Sequence, residues 1–458
     1  MQNSKIYKGA FIIALGGFLS KIAGAVYRVP LTSLLGAEGL GVYQMAFPVY
    51  AMLLDLSSAG VPNAMASLIA NSPEKKKDYL ICAIKVFGTL GLLGSVFMLL
   101  LSKPLATFQG NASAYYIYAV IAPSVLFVGL GASIRGYFQG QLKMLPTTAS
   151  QLVEQGAKII IGLILIYSFS SIKMRVVGAG LAVTISEVFG FIYLISHYAL
   201  SNKKSVDGFC RLDEESVVTV SPNISKQLNK TYRKNLKITL IKKALPITLL
   251  AMVFPLSQIV DSSLIIHLLG KYRADALKVY GIFSGAVTSV INLPVSICYG
   301  LSAVAVPVLS AKTGAKNKTA LLILSTLVLA ICGAVCCYVF SPLAVKILFP
   351  KLGVEYQVLT YTLIKAFSPV VVFSSLLQTV NAVLIAKNKI YHAVVGCALG
   401  CGLKIVLQFF LLKNPSLNIF GAVISHIACY LLACLFNLLY IKQYADKKDS
   451  NGKIPSGK

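Results

Sequence analysis

Residues 319–342 read TALLILSTLVLAICGAVCCYVFSP, a run of 24 residues that contains no charged side chain. An α-helix needs roughly 20 apolar residues to cross about 30 Å of hydrocarbon, so the run predicts a transmembrane helix. Similar runs recur along the whole chain. Their predicted boundaries are 8–30, 42–70, 79–101, 113–136, 149–169, 177–200, 242–269, 279–309, 319–342, 358–386, 391–412 and 418–441. They are continuously apolar and do not alternate with a period of two, which favours helices over a β-barrel.

The composition agrees with an all-α integral membrane protein of about twelve spans. Of 458 residues, 57% are hydrophobic and 12% are charged, and the mean hydropathy is +0.77. A soluble protein carries about 25% charged residues, because its whole surface faces water. The ten cysteines lie mostly within the apolar runs, and no metal-ligand spacing, nucleophile–base set or paired catalytic carboxylates stand out. We therefore expect neither an enzyme nor a metal or cofactor.

The formal net charge of +27 is interpreted as a topology signal, and no nucleic-acid partner is expected. If residue 1 is cytoplasmic, roughly 26 basic residues fall on the cytoplasmic side and about 10 on the other side, as the positive-inside rule describes. The sequence thus predicts a multi-pass protein of the cell membrane with both termini in the cytoplasm. The basic loops would also attract anionic lipids.

The chain divides into two halves of six spans. A polar segment separates them, and its residues Leu228, Tyr232 and Leu236 recur at helical spacing between basic residues, which suits a helix lying on the inner leaflet. Similar motifs recur at offsets of about 234 to 246 residues, as a parallel repeat with a site between its halves would give. The predicted divisions are a first lobe at 1–200, a linker at 201–241, a second lobe at 242–443 and a tail at 444–458.

Several charged residues fall within the predicted spans, where each costs at least about 2.5–3.5 kcal/mol. Lys21, Gly24 and Arg28 share one face of the first span. Gln151, Glu154 and Lys158 repeat that spacing on the fifth span, where Glu154 and Lys158 could instead form an i, i+4 pair. These stripes predict a cationic cavity in the first half, and such a cavity selects an anion such as a phosphate.

The remaining charged candidates lie outside these two stripes. Arg135 either belongs to the same cavity or marks the end of the fourth span. Lys404 occupies the repeat position of Lys158 and is counted with the substrate-binding set. Asp55 and Asp261 could neutralise a cavity cation or bind a coupling ion, with the counter-ion role favoured for Asp55. Glu187 has no evident partner in the sequence.

Two first-half segments resemble a known family. LSKIAGAVYRVPLTSLLGAEGLGVYQMAFPVYAMLLDLSSAGVPNAMASLIA (19–70) and IRGYFQGQLKMLPTTASQLVEQGAKIIIG (134–162) are similar to stage V sporulation protein B-like oligosaccharide flippases. That family belongs to the multidrug/oligosaccharidyl-lipid/polysaccharide exporter superfamily, which also holds the lipid II flippases. By position, Lys21 matches a basic cavity residue of the lipid II flippases, and Arg28 lies where they have a second arginine. Their second-span arginine is replaced near Pro48, and many relatives have fourteen spans.

The resemblance implies two six-helix lobes forming a V-shaped central cavity and working by alternating access. It further implies a transporter that flips an undecaprenyl-pyrophosphate-linked oligosaccharide or peptidoglycan precursor, plausibly for spore cortex or cell wall synthesis. A second hypothesis is a cation-coupled multidrug antiporter that uses Asp55 or Asp261, which predicts an acidic, aromatic-lined cavity. No GxxxxGK[ST] motif for ATP occurs in the sequence.

Overall fold

The computed structural model describes residues 2–206, 222–310 and 315–451, and these residues form helices joined by short turns. The α-helices are α1 Gln2–Ser58, α2 Val61–Asn71, α3 Lys76–Leu100, α4 Ser102–Phe108, α5 Tyr115–Ile121, α6 Ser124–Gly140, α7 Leu145–Ser168, α8 Ile172–Val206, α9 Pro222–Leu269, α10 Ala276–Gly281, α11 Thr288–Ser310, α12 Ala315–Leu348, α13 Val354–Phe367, α14 Pro369–Ala386, α15 Ile390–Leu411 and α16 Phe420–Asn451. A π-helical turn at 282–287 joins α10 to α11.

The predicted all-α membrane fold is confirmed. The described residues contain 11 helical stretches long and apolar enough to cross a membrane. The first, Leu15–Asn71, has 57 residues and breaks at Gly36, whose φ of 64° is left-handed. A straight helix of that length would span about 85 Å, far more than a bilayer is thick. Folding at Gly36 turns it into two crossings, which gives the expected twelve.

Consecutive long helices reverse direction, so the helix ends collect in two layers. One layer, here called the termini end, includes the helix ends at Asn71, Gly140 and Ala386. The opposite layer, here called the Gly36 end, includes Gly36 and Leu269. Because the helices between them are long enough to cross a bilayer, the two layers lie on opposite sides of the membrane.

The two halves share a large hydrophobic core at the Gly36 end and have smaller cores towards the termini end. The shared core includes Leu35 and Val42 from the first half together with Val279 and Ile291 from the second. The smaller clusters lie around Met65 and around Val383, and the Met65 cluster also includes Ala244 of α9. Apolar burial therefore joins the halves mainly at the Gly36 end, and α9 makes a further contact with the first half towards the termini end.

Close helix packing in the first half depends on small residues. The part of α1 before the break at Gly36, here called its first leg, runs parallel to α7. A Cβ added to Gly162 on α7 would lie 2.2 Å from the hydroxyl oxygen of Tyr27. A Cβ added to Gly24 would lie 3.6 Å from the side-chain oxygen of Gln155. These close contacts set how the first leg of α1, which carries Arg28, is oriented against the polar face of α7.

The predicted linker includes a helix that is continuous with the seventh span. Helix α9 begins at Pro222 and extends to Leu269. Leu236 and Leu240 are buried against first-half helices, and the Tyr232 hydroxyl donates a hydrogen bond to Asp78 at 3.1 Å. The side chain of Leu228 and residues 207–221 lie outside the described part of the chain, as do 452–458 of the predicted tail. The lobe and linker boundaries stay predictions.

Candidate functional site

A cavity of about 1060 Å³ lies between the two halves of the molecule. Its first-half lining includes Arg28 on the first leg of α1 and Pro48 on the second leg. Its second-half lining comes mainly from α9, α11, α14 and α16 and includes Phe254, Asn292 and His426. Because both halves contribute walls, any relative movement of the halves would change the shape of the cavity.

The cavity is closed at the Gly36 end by direct backbone contact between the halves. A Cβ added to Gly281 would lie 2.4 Å from the backbone nitrogen of Gly41, so only glycines fit this approach. Beside it, the Tyr280 hydroxyl donates a hydrogen bond to the carbonyl oxygen of Gln44 at 3.2 Å. At the surface, Lys278 and Glu38 form an exposed ion pair at 3.7 Å, which contributes little stability.

In the opposite direction the cavity extends to the termini end. Its lining there includes Gln139 near the end of α6, Met144 in the turn before α7, and Ile385 near the end of α14. The structure therefore shows a cavity that reaches one end of the bundle and is sealed at the other. This is one of the two states that alternating access requires.

Among the predicted cations whose side chains are described, Arg28 is the one that lines the cavity. Its guanidinium donates a very short hydrogen bond to the hydroxyl of Ser289 on α11, so the contact joins the two halves. Ser289 is neutral, and Arg28 has no carboxylate partner among the described side chains. An uncompensated guanidinium in a cavity attracts anions, and its planar fork of N–H donors matches two oxygens of a phosphate.

Three other predicted site residues form a partly buried polar cluster outside the cavity lining. Arg135 donates to the Glu154 carboxylate at 2.6 Å and to the Ser150 hydroxyl at 3.1 Å. Lys158 interacts electrostatically with Glu154, with Glu187 and with Arg28. Gln151, one turn before Glu154, is half-buried. None of these residues is part of the described cavity lining.

The cluster also accounts for Glu187, which is 8% exposed. Tyr50 on the second leg of α1 donates a hydrogen bond to the Glu187 carboxylate at 3.2 Å. Two carboxylates thus face two cations in the cluster, so its formal charges balance. Among the described side chains that line the first-half side of the cavity, Arg28 remains as the excess positive charge.

Lys404 and Asp261 form a buried ion pair in the second half. Their charged atoms are 2.6 Å apart, and the two side chains are 2% and 6% exposed. The Nε2 atom of His426 lies 3.4 Å from the same Asp261 oxygen, while His426 Nδ1 donates to the carbonyl oxygen of Ala422 at 2.8 Å. Asp261 and His426 line the cavity and Lys404 does not.

Asp55 lies away from these groups, and Lys21 is not placed. Asp55 is half-buried, does not line the cavity, and makes no ion pair with any side chain that the structure describes. The side chain of Lys21 lies outside the described side chains, so its predicted role stays a prediction. Over the described residues, no group of three or more His, Cys, Asp or Glu side chains could hold a metal ion.

Sequence reasoning did not find Ser289 and His426. Ser289 is one of many serines in apolar helices, and its partner Arg28 is 261 positions away. His426 was one of four scattered histidines. An interlobe contact has no local sequence signature, so only the folded structure reveals it.

Comparisons with known proteins agree with this geometry. The family model described as polysaccharide biosynthesis protein matches residues 6–313. The chain is 25% identical to lipid II flippase MurJ of Bacillus subtilis (strain 168), covering 97% of this chain and 84% of that protein. It is 25% identical to stage V sporulation protein B of the same organism, covering 95% of this chain and 83% of that protein.

Among solved structures, the fold resembles an inward-facing multidrug resistance MATE family transporter of the MOP superfamily. The TM-score is 0.72 at 15% sequence identity, and the match covers 95% of this chain and 99% of that one. This likeness shows the arrangement of the helices and does not identify a transported molecule.

Proposed function

Because the chain belongs to the polysaccharide biosynthesis protein family, we propose that it is a flippase for an undecaprenyl-pyrophosphate-linked oligosaccharide or peptidoglycan precursor. Its two relatives at 25% identity, one named as a lipid II flippase and one as a stage V sporulation protein, support a role in cell wall or spore cortex synthesis. The substrate would cross the cell membrane without chemical change, so no catalytic residue is assigned.

The observation that carries the proposal is the position of Arg28. Its guanidinium lies in a cavity between the halves, and its hydrogen-bond partner is a neutral hydroxyl. A pyrophosphate entering the cavity would replace Ser289 as the partner of Arg28. The lipid tail would stay in the bilayer while the polar head group crosses through the cavity.

The charge distribution along the chain supports an orientation. Basic residues concentrate in the loops that share a side with both termini, so we place the termini end in the cytoplasm. The cavity would then face the cytoplasm in this structure, ready to load substrate. Closing the termini end and separating Gly41 from Gly281 would deliver the substrate to the outer side.

The two ion pairs, one partly buried and one buried, are proposed to support this site. Arg135 and Glu154 would hold α6 against α7 behind Arg28. Asp261 would act as the counter-ion of Lys404, because the pair is closely bonded and buried. Gln151 and Asp55 remain candidate residues for substrate contact and charge balance in another conformation.

The multidrug antiporter is the less favoured hypothesis. It needs an acidic cavity with a carboxylate available to a coupling cation. Asp261 is the carboxylate among the described lining residues, and the Lys404 ammonium already neutralises it. The MATE-like fold by itself does not distinguish the two functions.

The test is translocation by the full chain in liposomes. A fluorescent lipid-linked pyrophosphate sugar would be placed in both leaflets, and the rate at which the inner-leaflet lipid becomes accessible to an external quencher would be measured. Arg28→Ala should reduce the rate about tenfold or more, since a hydrogen bond to a charged group contributes about 1.5–3 kcal/mol. Arg28→Lys should retain part of the activity, and Lys413→Ala, an exposed residue, should have no effect. Full activity of Arg28→Ala would refute the proposal.

A further inference from the structure

Six side-chain carboxamides line the part of the cavity between Arg28 and the termini end. They come from both halves, with four on second-half helices and two on first-half helices. The set is Asn63, Gln139, Gln258, Asn292, Gln378 and Asn381. Asn63, Gln258 and Asn292 are exposed to the cavity, although each lies on a membrane-spanning helix.

Carboxamide side chains within the membrane-spanning region need hydrogen-bond partners. Burying a polar group in an apolar medium without a hydrogen bond is unfavourable. The Oε1 atom of Gln378 is buried and has no hydrogen-bond partner. Asn381 is held in place, because its Oδ1 atom accepts a hydrogen bond from Asn437 at 2.8 Å. The wall thus combines a fixed amide with an amide whose acceptor is unused.

Aromatic rings lie among these amides. The Phe254 ring stacks on the Tyr430 ring with centroids 5.3 Å apart and an interplanar angle of 17°, and both residues line the cavity, as Phe47 does. The negative face of an aromatic ring attracts the weakly positive C–H groups of a sugar ring. Amides supply the matching donors and acceptors for hydroxyl and acetamido groups.

The amides also lie at a suitable distance from the proposed phosphate position. Asn292 follows Ser289 by three residues on α11, so the two share a face about 4.5 Å apart along the helix axis. Ser289 contacts Arg28. A pyrophosphate at Arg28 would therefore place its attached sugar beside Asn292, with further sugar units extending towards Gln378.

We propose that this carboxamide wall is a binding subsite for the uncharged saccharide of the lipid-linked substrate. The inference depends on the proposed function and specifies its substrate further, as a lipid whose saccharide is rich in hydroxyl or acetamido groups. Arg28 would bind any undecaprenyl pyrophosphate, and the amides would distinguish a sugar-bearing lipid from a bare one. Gln258 and Gln378 would be specificity-determining residues.

The experiment compares two ligands that differ only in the sugar. The ligands are undecaprenyl pyrophosphate and undecaprenyl pyrophosphate carrying one N-acetylglucosamine. Affinities for the detergent-solubilised full chain would be measured by microscale thermophoresis. A neutral hydrogen bond contributes about 0.5–1.5 kcal/mol, so Gln258→Leu and Gln378→Leu should each weaken binding of the sugar-bearing lipid about 2–13-fold. Binding of the bare lipid should be unchanged, whereas Arg28→Ala should weaken both.

The outcomes separate the two proposals. If the amide variants bind the sugar-bearing lipid as wild type does while Arg28→Ala loses both ligands, the subsite is refuted and the flippase proposal stands. An equal loss for both ligands in an amide variant also refutes the subsite. If the wild-type protein binds neither ligand, both proposals are wrong. Unchanged thermal unfolding midpoints would show that the variants are folded.

Discussion

Replacing Lys404 with methionine should strongly lower the stability of the fold, because the mutation leaves the buried Asp261 carboxylate without its main partner. The two charges are 2.6 Å apart and nearly inaccessible. Removing one partner of a buried ion pair typically costs about 3–5 kcal/mol, since the remaining charge stays buried and uncompensated. Replacing both partners with apolar groups is often neutral or stabilising. Lys404→Met combined with Asp261→Leu should therefore recover most of the lost stability.

The assay is a double-mutant cycle on the purified protein in detergent. The midpoint of thermal unfolding would be followed by circular dichroism for wild type, both single variants and the double variant. Lys413→Met is the matched control, because Lys413 is exposed. The reasoning is refuted if Lys404→Met unfolds at the wild-type temperature, or if the double variant loses the sum of the two single effects.

Three other predictions concern contacts at the Gly36 end and within the first half. Gly281→Val should force the halves apart there, because its Cβ would lie 2.4 Å from a backbone nitrogen; spin labels on the two halves would report a longer distance. The Arg273 guanidinium, bonded to Asp275 at 2.8 Å, lowers the pKa of the Asp275 carboxyl. The stabilisation that this ion pair gives to the fold is present above the pKa of an unfolded Asp, about 3.9, and is lost as the pH falls through the lower pKa of the folded state. Asp275→Asn should abolish this pH dependence, which thermal unfolding midpoints between pH 3 and 7 would measure. Gly162→Leu should clash with Tyr27 and lower the unfolding midpoint, whereas Gly162→Leu with Tyr27→Ala should regain part of it.

The number and order of the membrane crossings could be predicted from the sequence because lipid solvates every span in the same way. A window of apolar residues is enough to identify a crossing, wherever its neighbours lie. The break at Gly36 is consistent with this: a run of 57 apolar-rich residues had to fold back on itself. The polar contacts between spans depend on which helices become neighbours, and the sequence does not show that.

The partners of the buried charges illustrate the limit. Glu154 has Lys158 four residues away, yet its close ion pair is with Arg135, which approaches from another helix. Glu187 finds its hydroxyl donor 137 positions earlier, at Tyr50. Lys404 was identified by its repeat position, but its partner Asp261 lies 143 positions away. Residue type indicated that each charge needed a partner, and only the fold supplied it.

The central claim is that a lipid-linked pyrophosphate binds at Arg28 between the two halves. The most direct measurement is native mass spectrometry of the protein purified from its own membranes in mild detergent. The account predicts one undecaprenyl-pyrophosphate-linked saccharide bound per chain in wild type and its loss in Arg28→Ala. Wild-type protein that carries no such lipid, or an Arg28→Ala variant that retains it fully, would contradict the account.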